Sequence, residues 1–122
     1  MKFEKWQEVR AEVFARDIWS CQYPGCGVVG GLGIQIAHRI ADTESNRKEC
    51  RALFGLKRKA EEDAIINHPM NLVTSCAKHN SRFNVGNVKA KRLELFRAIY
   101  EKLFGGEDGQ RVVEKTPEVG GG

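Results

Sequence analysis

Apolar residues recur every three or four positions in two stretches of the chain, which is the spacing of one face of an amphipathic helix. This periodicity predicts a first helix over about 3–16 and a second helix over about 88–104. The residues that define these two apolar faces are Phe3, Trp6, Val9, Val13 and Phe14 in the first stretch, and Leu95, Phe96, Ile99, Tyr100 and Leu103 in the second.

Between the two helices, shorter apolar runs bounded by turn-forming residues predict strands. Residues 27–36, GVVGGLGIQI, are interpreted as a glycine-turned hairpin whose second arm, 32–37, is a strand. A second short strand is predicted over 71–74, just after a proline. Ser75 is well placed to cap a helix that begins at Cys76.

The remaining segments are polar. Residues 42–64 are charged and contain many helix formers, so they predict a solvated insertion with one or two helical turns. Residues 105–122 form a polar tail that ends in glycines and is predicted to be disordered. Because 122 residues fit one domain, we expect a single α+β domain over 1–104.

Composition and charge narrow the function classes. Charged residues make up 30% of the chain and no apolar run approaches the roughly 18 residues of a spanning helix, which argues against a membrane protein. The net charge of +4 permits a nucleic-acid partner. Six basic and two acidic residues lie in 81–104, so this stretch is either a phosphate-facing surface or an ordinary solvated helix face. The predicted nucleic-acid contacts are Arg39, Arg82, Lys89, Lys91 and Arg92.

Two ligand pairs suggest a structural zinc site. Cys21 and Cys26 bracket the turn-forming sequence QYPG, and Cys76 and His79 are three residues apart. A loop pair and a helix-turn pair can supply the four tetrahedral ligands of a closed zinc site. The alternative is a set of buried thiols with one surface histidine. Cys50 has no ligand partner nearby in the sequence and is interpreted as a free thiol.

A histidine and three asparagines form a second group. His38 ends an apolar strand, where an isolated histidine usually has a structural role, but Asn71 precedes the next strand and Asn80 follows His79. If a helix begins near position 76, Asn80 and Asn84 lie about a quarter-turn away from the zinc ligands. Such a helix would carry the structural metal on one side and an oxygen-ligated metal on the other.

The order of these motifs resembles that of HNH endonucleases. The resemblance covers about residues 6–86, with a motif core of about 20–86. The matching residues are Arg16-Asp17 and Trp19, the pair Cys21 and Cys26, AHRI with His38, NLV with Asn71, and the run Cys76-x2-His79-Asn80. The resemblance implies a ββα-metal core, in which a two-stranded hairpin packs on a helix, with flanking helices and a structural zinc site.

The resemblance also implies roles for individual residues. His38 matches the general base that activates water, Asn71 the loop asparagine that orients it, and Asn80 a ligand of the catalytic Mg²⁺ or Mn²⁺. An imidazole suits the first role because its pKa is near neutral, and amide oxygens suit a hard cation. The long interval between His38 and Asn71 implies an insertion in the motif loop.

One departure from the family pattern concerns the catalytic metal. Many members carry an acidic ligand just before the base, whereas position 37 is alanine. A single neutral oxygen would hold Mg²⁺ weakly, so a second protein ligand is expected. Asn84 is the first candidate because of its i, i+4 spacing from Asn80, and Asp42 is the second.

The expected function is therefore metal-dependent hydrolysis of DNA phosphodiester bonds. The main alternative is a zinc-stabilised DNA-binding module that has lost catalysis, which Ala37 supports; a weaker one is a zinc scaffold that binds protein. DNA is the expected partner, with no membrane association, and a homodimer is one route to double-strand cleavage. The family resemblance suggests a bacterial or phage-encoded protein of the cytoplasm.

Overall fold

The computed structural model describes residues 2–105, without the side chain of Phe3. The predicted α+β class is confirmed, since this part of the chain contains four α-helices and one two-stranded antiparallel sheet. The order is α1 (Phe3–Arg16), β1 (Ile34–His38), α2 (Glu44–Phe54), α3 (Lys59–Ile66), β2 (Leu72–Cys76) and α4 (Lys89–Tyr100). A final helical turn, Glu101–Gly105, follows α4, and the predicted disordered tail otherwise lies outside the described residues.

The sheet joins two strands that are far apart in the sequence. β1 pairs with β2 from Ile34 opposite Cys76 to His38 opposite Leu72. The hairpin predicted within 27–36 is therefore wrong, although its second arm does contain β1. The glycine-rich stretch instead makes one isolated bridge between Ser20 and Val29. The physical reason is that the buried strand β2 offers the backbone of β1 a complete set of partners, which a short exposed arm cannot do.

The two faces of the sheet contact different elements. Side chains alternate along a strand, so Ile36 and His38 share one face and Gln35 and Ala37 the other. The helix α1, which its periodicity predicted, packs on the first face. Val9 and Val13 of α1 form a buried cluster with Leu72 of β2. Trp6 of α1 and Ile36 of β1 are partly buried beside this cluster.

The predicted solvated insertion contributes to a second, larger core through Cys50 and the partly buried Leu53, Phe54 and Leu56. It folds into α2 and α3, which pack with α4 around fully buried side chains, so the expectation of one or two solvated turns is wrong. Arginines on the outer side pair with acidic residues of α3, as Arg47 does with Asp63 at 2.8 Å and Arg51 with Glu62 at 2.9 Å. The buried residues are Ile40, Cys50, Ile65, Ile66, Phe96 and Ile99.

The segment after β2 differs most from expectation. A helix was predicted to begin at Cys76, but Cys76 is the last residue of β2 and only a 3₁₀ turn, Asn80–Phe83, follows. Cys76 is drawn into the sheet because it pairs with Ile34. The ββα core is not confirmed, since the element that follows the two strands is a single turn of four residues.

An ion pair at the end of α1 ties the helix to β2. Arg16 donates from both terminal nitrogens to carbonyl oxygens, at 2.9 Å to Pro69 and 2.7 Å to Leu72, and it also pairs with the buried Asp17. The Asp17 carboxylate accepts from the amide of Thr74 at 2.9 Å. Burial opposes ionisation of Asp17, but Arg16 and this amide more than compensate and lower its pKa.

Candidate metal centre and active site

Four side chains converge at the end of β2. The sulfur atoms of Cys21, Cys26 and Cys76 and a ring nitrogen of His79 all lie within 4.8 Å of one another. Cys50 is not part of this group; it is completely buried in the helical core, where desolvation raises its pKa to about 11. The predicted ligand set is thus brought together, and the interpretation of Cys50 as a separate free thiol agrees with the structure.

The spacing of these atoms fits a four-coordinate metal. Ligands about 2.3 Å from a central ion have tetrahedral edges of about 3.8 Å. The Cys26 and Cys76 sulfur atoms are 3.8 Å apart, and His79 Nδ1 lies 3.8 Å from Cys21 Sγ and 3.2 Å from Cys76 Sγ. The cluster is therefore close enough to bind a metal ion such as zinc.

Local structure explains how the loop ligands reach the strand. The Cys26 amide donates to the Tyr23 carbonyl at 3.0 Å in a turn where Gly25 has φ +82°, a conformation that side chains other than glycine rarely adopt. The Tyr23 ring also stacks on His79, with ring centroids 4.1 Å apart. This aromatic contact, which the ligand spacing did not reveal, holds the imidazole at the cluster.

The environment of Cys76 also favours a ligand. Burial opposes ionisation of its thiol, but hydrogen bonds from the backbone amides of His79 and Lys78 and from the other two thiols outweigh that cost and lower its pKa. A lower pKa increases the fraction of thiolate, which is the form that binds metals.

His38 lies at a separate position on the α1 side of the sheet. Its ring stacks on Trp6 with centroids 6.2 Å apart and an interplanar angle of 11°, and its Nε2 is 2.9 Å from Oδ1 of Asn67. If Nε2 carries the proton and donates it to this oxygen, Nδ1 is the basic nitrogen. A cavity of about 460 Å³ adjoins the imidazole and is also lined by Lys59 and Arg47.

Asn71 contacts the backbone near His38 and not the imidazole itself. It is completely buried, and its Oδ1 accepts from the amide of Ile40 at 2.8 Å while its Nδ2 donates to the carbonyls of Ile40 and Ile66. Asn71 therefore fixes the chain just after His38. The side chain that holds the ring is Asn67, which the sequence analysis did not single out; it follows α3 directly, and no motif spacing marks it.

The other two asparagines do not share a helix face with each other or a pocket with His38. Asn80 donates from Nδ2 to Gln35 Oε1 at 3.0 Å and to Ser75 Oγ at 3.2 Å, which puts it on the sheet face opposite His38. Asn84 follows the 3₁₀ turn, and its Oδ1 accepts from the amide of Gly86 at 2.8 Å. The i, i+4 spacing argument for a shared Mg²⁺ or Mn²⁺ site fails because only a 3₁₀ turn, and no α-helix, forms there.

The predicted nucleic-acid contacts are not equally available. Arg92 pairs with Glu49 at 2.9 Å and donates to the carbonyl of Gly86 at 2.7 Å, so its guanidinium is already engaged. Arg82 lies over the ring of Tyr23, 5.9 Å from its centroid. Lys89 and Lys91 are exposed on α4, whereas Arg39 is half-buried beside His38.

No protein-family model matches the chain, and neither a curated protein nor a solved structure does. Among residues 2–105, none of the helices has both the length and the apolar character needed to cross a membrane.

Proposed function

We propose that the protein is a zinc-stabilised endonuclease that hydrolyses DNA phosphodiester bonds, with His38 as the general base. The observation that carries the proposal is the setting of His38. Its imidazole is held between Trp6 and Asn67 at a cavity that is also lined by Lys59 and by Arg47, whose guanidinium pairs with Asp42 and Asp63 of the same lining. A positioned imidazole is suited to activating water, and the exposed ammonium group of Lys59 is the cation that can face a phosphate.

The reaction follows from this arrangement. With Nε2–H donating to Asn67, Nδ1 of His38 takes a proton from water, and the water oxygen forms a bond to phosphorus. The bond from phosphorus to the 3′ oxygen then breaks, that oxygen takes a proton from solvent, and the phosphate stays on the 5′ side. Asp42 lines the same cavity; its pKa is lowered mainly by Arg47 and in part by the charge of His38, so a carboxylate faces the imidazolium that forms.

Zinc has a structural role in this proposal. Four protein ligands leave no open position, which is typical of structural sites. The Cys3His cluster links the 21–26 loop to the end of β2, so zinc would reinforce the stacking of Tyr23 on His79 and the hydrogen bond from Gln22 to Thr74 that also join these segments.

The expected catalytic Mg²⁺ or Mn²⁺ does not fit the residues predicted to bind it. Asn80 lies on the opposite sheet face from His38, and the Asn84 oxygen accepts a backbone amide. Asp42, the other candidate, does line the cavity of His38 but pairs with Arg47 at 2.6 Å. We therefore assign this cation no protein ligands.

The position of Asn80 on the sheet face opposite His38 favours a second candidate function, a zinc-stabilised DNA-binding module without cleavage. In that case His38 is a structural histidine packed between Trp6 and Asn67. DNA as the partner, the cytoplasmic compartment and a homodimer for double-strand cleavage belong to the nuclease proposal.

Incubating supercoiled plasmid with the protein and Mg²⁺, Mn²⁺ or EDTA tests the nuclease proposal. The wild type is expected to nick the plasmid with at least one cation, and His38→Ala to lose activity by roughly 10² to 10⁴ while retaining zinc and DNA binding. Added imidazole should partly restore the variant and leave the wild type unchanged, because a small base can occupy the space left by the ring. Binding without nicking by the wild type would support the second candidate.

A further inference from the structure

A broad groove lies between α1, α3 and the turn that follows α3. Its volume is about 1130 Å³, and its floor includes the apolar side chains Val9, Met70 and Leu103. Five cationic residues line it against two acidic ones, so the groove has a net positive charge. The cationic residues are Lys2, Lys5, Arg16, Lys59 and Lys102, and the acidic ones are Glu12 and Asp63.

The charged side chains of this groove are not equally available to bind a ligand. Asp63 is offset by Arg47 at 2.8 Å, and Arg16 is engaged by Asp17 and two backbone carbonyls. The lysines are exposed, and the ion pair of Lys5 with Glu8 at 3.8 Å is a weak surface pair. The groove thus offers mobile ammonium groups to an anionic ligand.

The groove is continuous with the cavity of His38. Both are lined by Lys59, Asp63 and Asn67, and Asn67 is the residue that holds the His38 ring. A phosphodiester strand that lies along the groove therefore leads directly to the imidazole. The apolar floor suits the sugars and bases between the phosphates, which an array of charges alone would not contact.

His68 adds a neutral donor to the groove. Its Nδ1 accepts from the amide of Met70 at 3.1 Å, which leaves the proton on Nε2. Burial is the main reason why the pKa of His68 is lowered. A neutral imidazole can donate one hydrogen bond to a phosphate oxygen without adding to the charge.

We propose that this groove, and not the exposed face of α4, binds the DNA backbone that flanks the scissile phosphate. The inference rests on the proposed function, since it takes His38 as the reacting end of the path. The α4 surface is the weaker alternative because Arg92 is engaged by Glu49, which leaves Lys89, Lys91 and Arg97 there, whereas four exposed lysines line the groove.

The test compares full-length variants of equal charge. The groove variant carries Lys5→Ala, Lys59→Ala and Lys102→Ala, and the matched control carries three exposed lysines outside the groove lining, all replaced by alanine. Binding of a fluorescein-labelled DNA duplex is measured by anisotropy from 50 to about 200 mM salt. The control residues are Lys48, Lys57 and Lys78.

The groove variant should bind the duplex at least tenfold more weakly at about 50 mM salt, with a salt slope reduced by about 2 to 3, since each phosphate contact contributes about 0.9. The control should change by no more than about threefold. Equal losses in the two variants, or a larger loss in Lys89→Ala with Lys91→Ala, would overturn the groove assignment. The groove assignment would also be overturned if the groove lysines were needed to bind a labelled polyglutamate peptide but not to bind DNA.

The two proposals fail in different ways. If the groove variant loses DNA binding but the wild type never nicks plasmid, the nuclease proposal fails, and the groove is a DNA-binding surface without a scissile phosphate beside it. If the wild type nicks plasmid and the groove variant binds and nicks equally well, the groove assignment alone fails. Because the replaced lysines are exposed, we expect the variants and the wild type to have equal thermal unfolding midpoints. Equal midpoints show that a loss of binding is not caused by unfolding.

Discussion

Removing one metal ligand should cost this protein a large part of its stability. The segment 20–33 contains no buried residue, and backbone hydrogen bonds such as those of Cys21 to Val28 and Gln22 to Thr74 hold it. Such bonds contribute about 1 kcal/mol each, whereas ordering the backbone costs about 1 kcal/mol or more per residue. This segment is therefore ordered only if something else stabilises it, and the Cys3His cluster is the feature that can.

The expected loss of stability in Cys76→Ser follows from this comparison of hydrogen-bond and entropy contributions. Structural zinc sites contribute about 10 kcal/mol or more, which is comparable to the entire stability of an ordinary domain, about 5–15 kcal/mol. We expect the variant to bind zinc weakly and to be largely unfolded at 37 °C. Cys50→Ala is the matched control, because it removes a buried sulfur outside the cluster and should cost only about 1 kcal/mol.

The assay is metal analysis combined with thermal unfolding followed by circular dichroism, with and without EDTA. The wild type and Cys50→Ala should contain one zinc per chain, and EDTA should lower their unfolding midpoints sharply. A wild-type protein that is well folded without metal, and whose midpoint EDTA does not change, would refute the argument.

Three further predictions concern asparagines and the Asp17 pair. Asn71→Ala should reduce the free energy of unfolding by about 3–5 kcal/mol in urea titrations, because it leaves several buried backbone groups unpaired; a change below 1 kcal/mol would contradict this. Asn67→Ala should slow nicking about tenfold and alter its pH profile by releasing the His38 ring, while an unchanged profile would limit Asn67 to a structural role. The pKa of Asp17 is lowered in the folded state. Its carboxylate therefore stabilises the fold above about pH 4, and this stabilisation is lost as the pH falls through the folded-state pKa. Stability of Asp17→Asn should therefore lie below wild type at pH 7 and converge on it near pH 2.

Several local features could be predicted from the sequence because they depend on short-range physics. The periodicity of Val9 and Val13 predicted α1, and the apolar runs 32–37 and 71–74 predicted two strands close to the observed Ile34–His38 and Leu72–Cys76. The Cys3His cluster was also predicted by spacing alone, since a metal site needs paired residues of particular types near one another in the chain.

Other features were decided by tertiary contacts. Whether residues near Cys76 form a helix or a strand depends on Ile34, which pairs with Cys76 from 42 positions away. The same pairing removed the helix face on which Asn80 and Asn84 were expected to meet.

The sequence by itself determined which residue types can carry chemistry here, which pairs of them can share a metal, and the extent of α1. Only the tertiary structure decided which strands pair and which side chain holds His38: it paired β1 with β2, and it placed Asn67 against His38. The physical reason is that side-chain periodicity is a local property, whereas strand pairing and burial depend on distant segments competing for the same backbone partners and the same core.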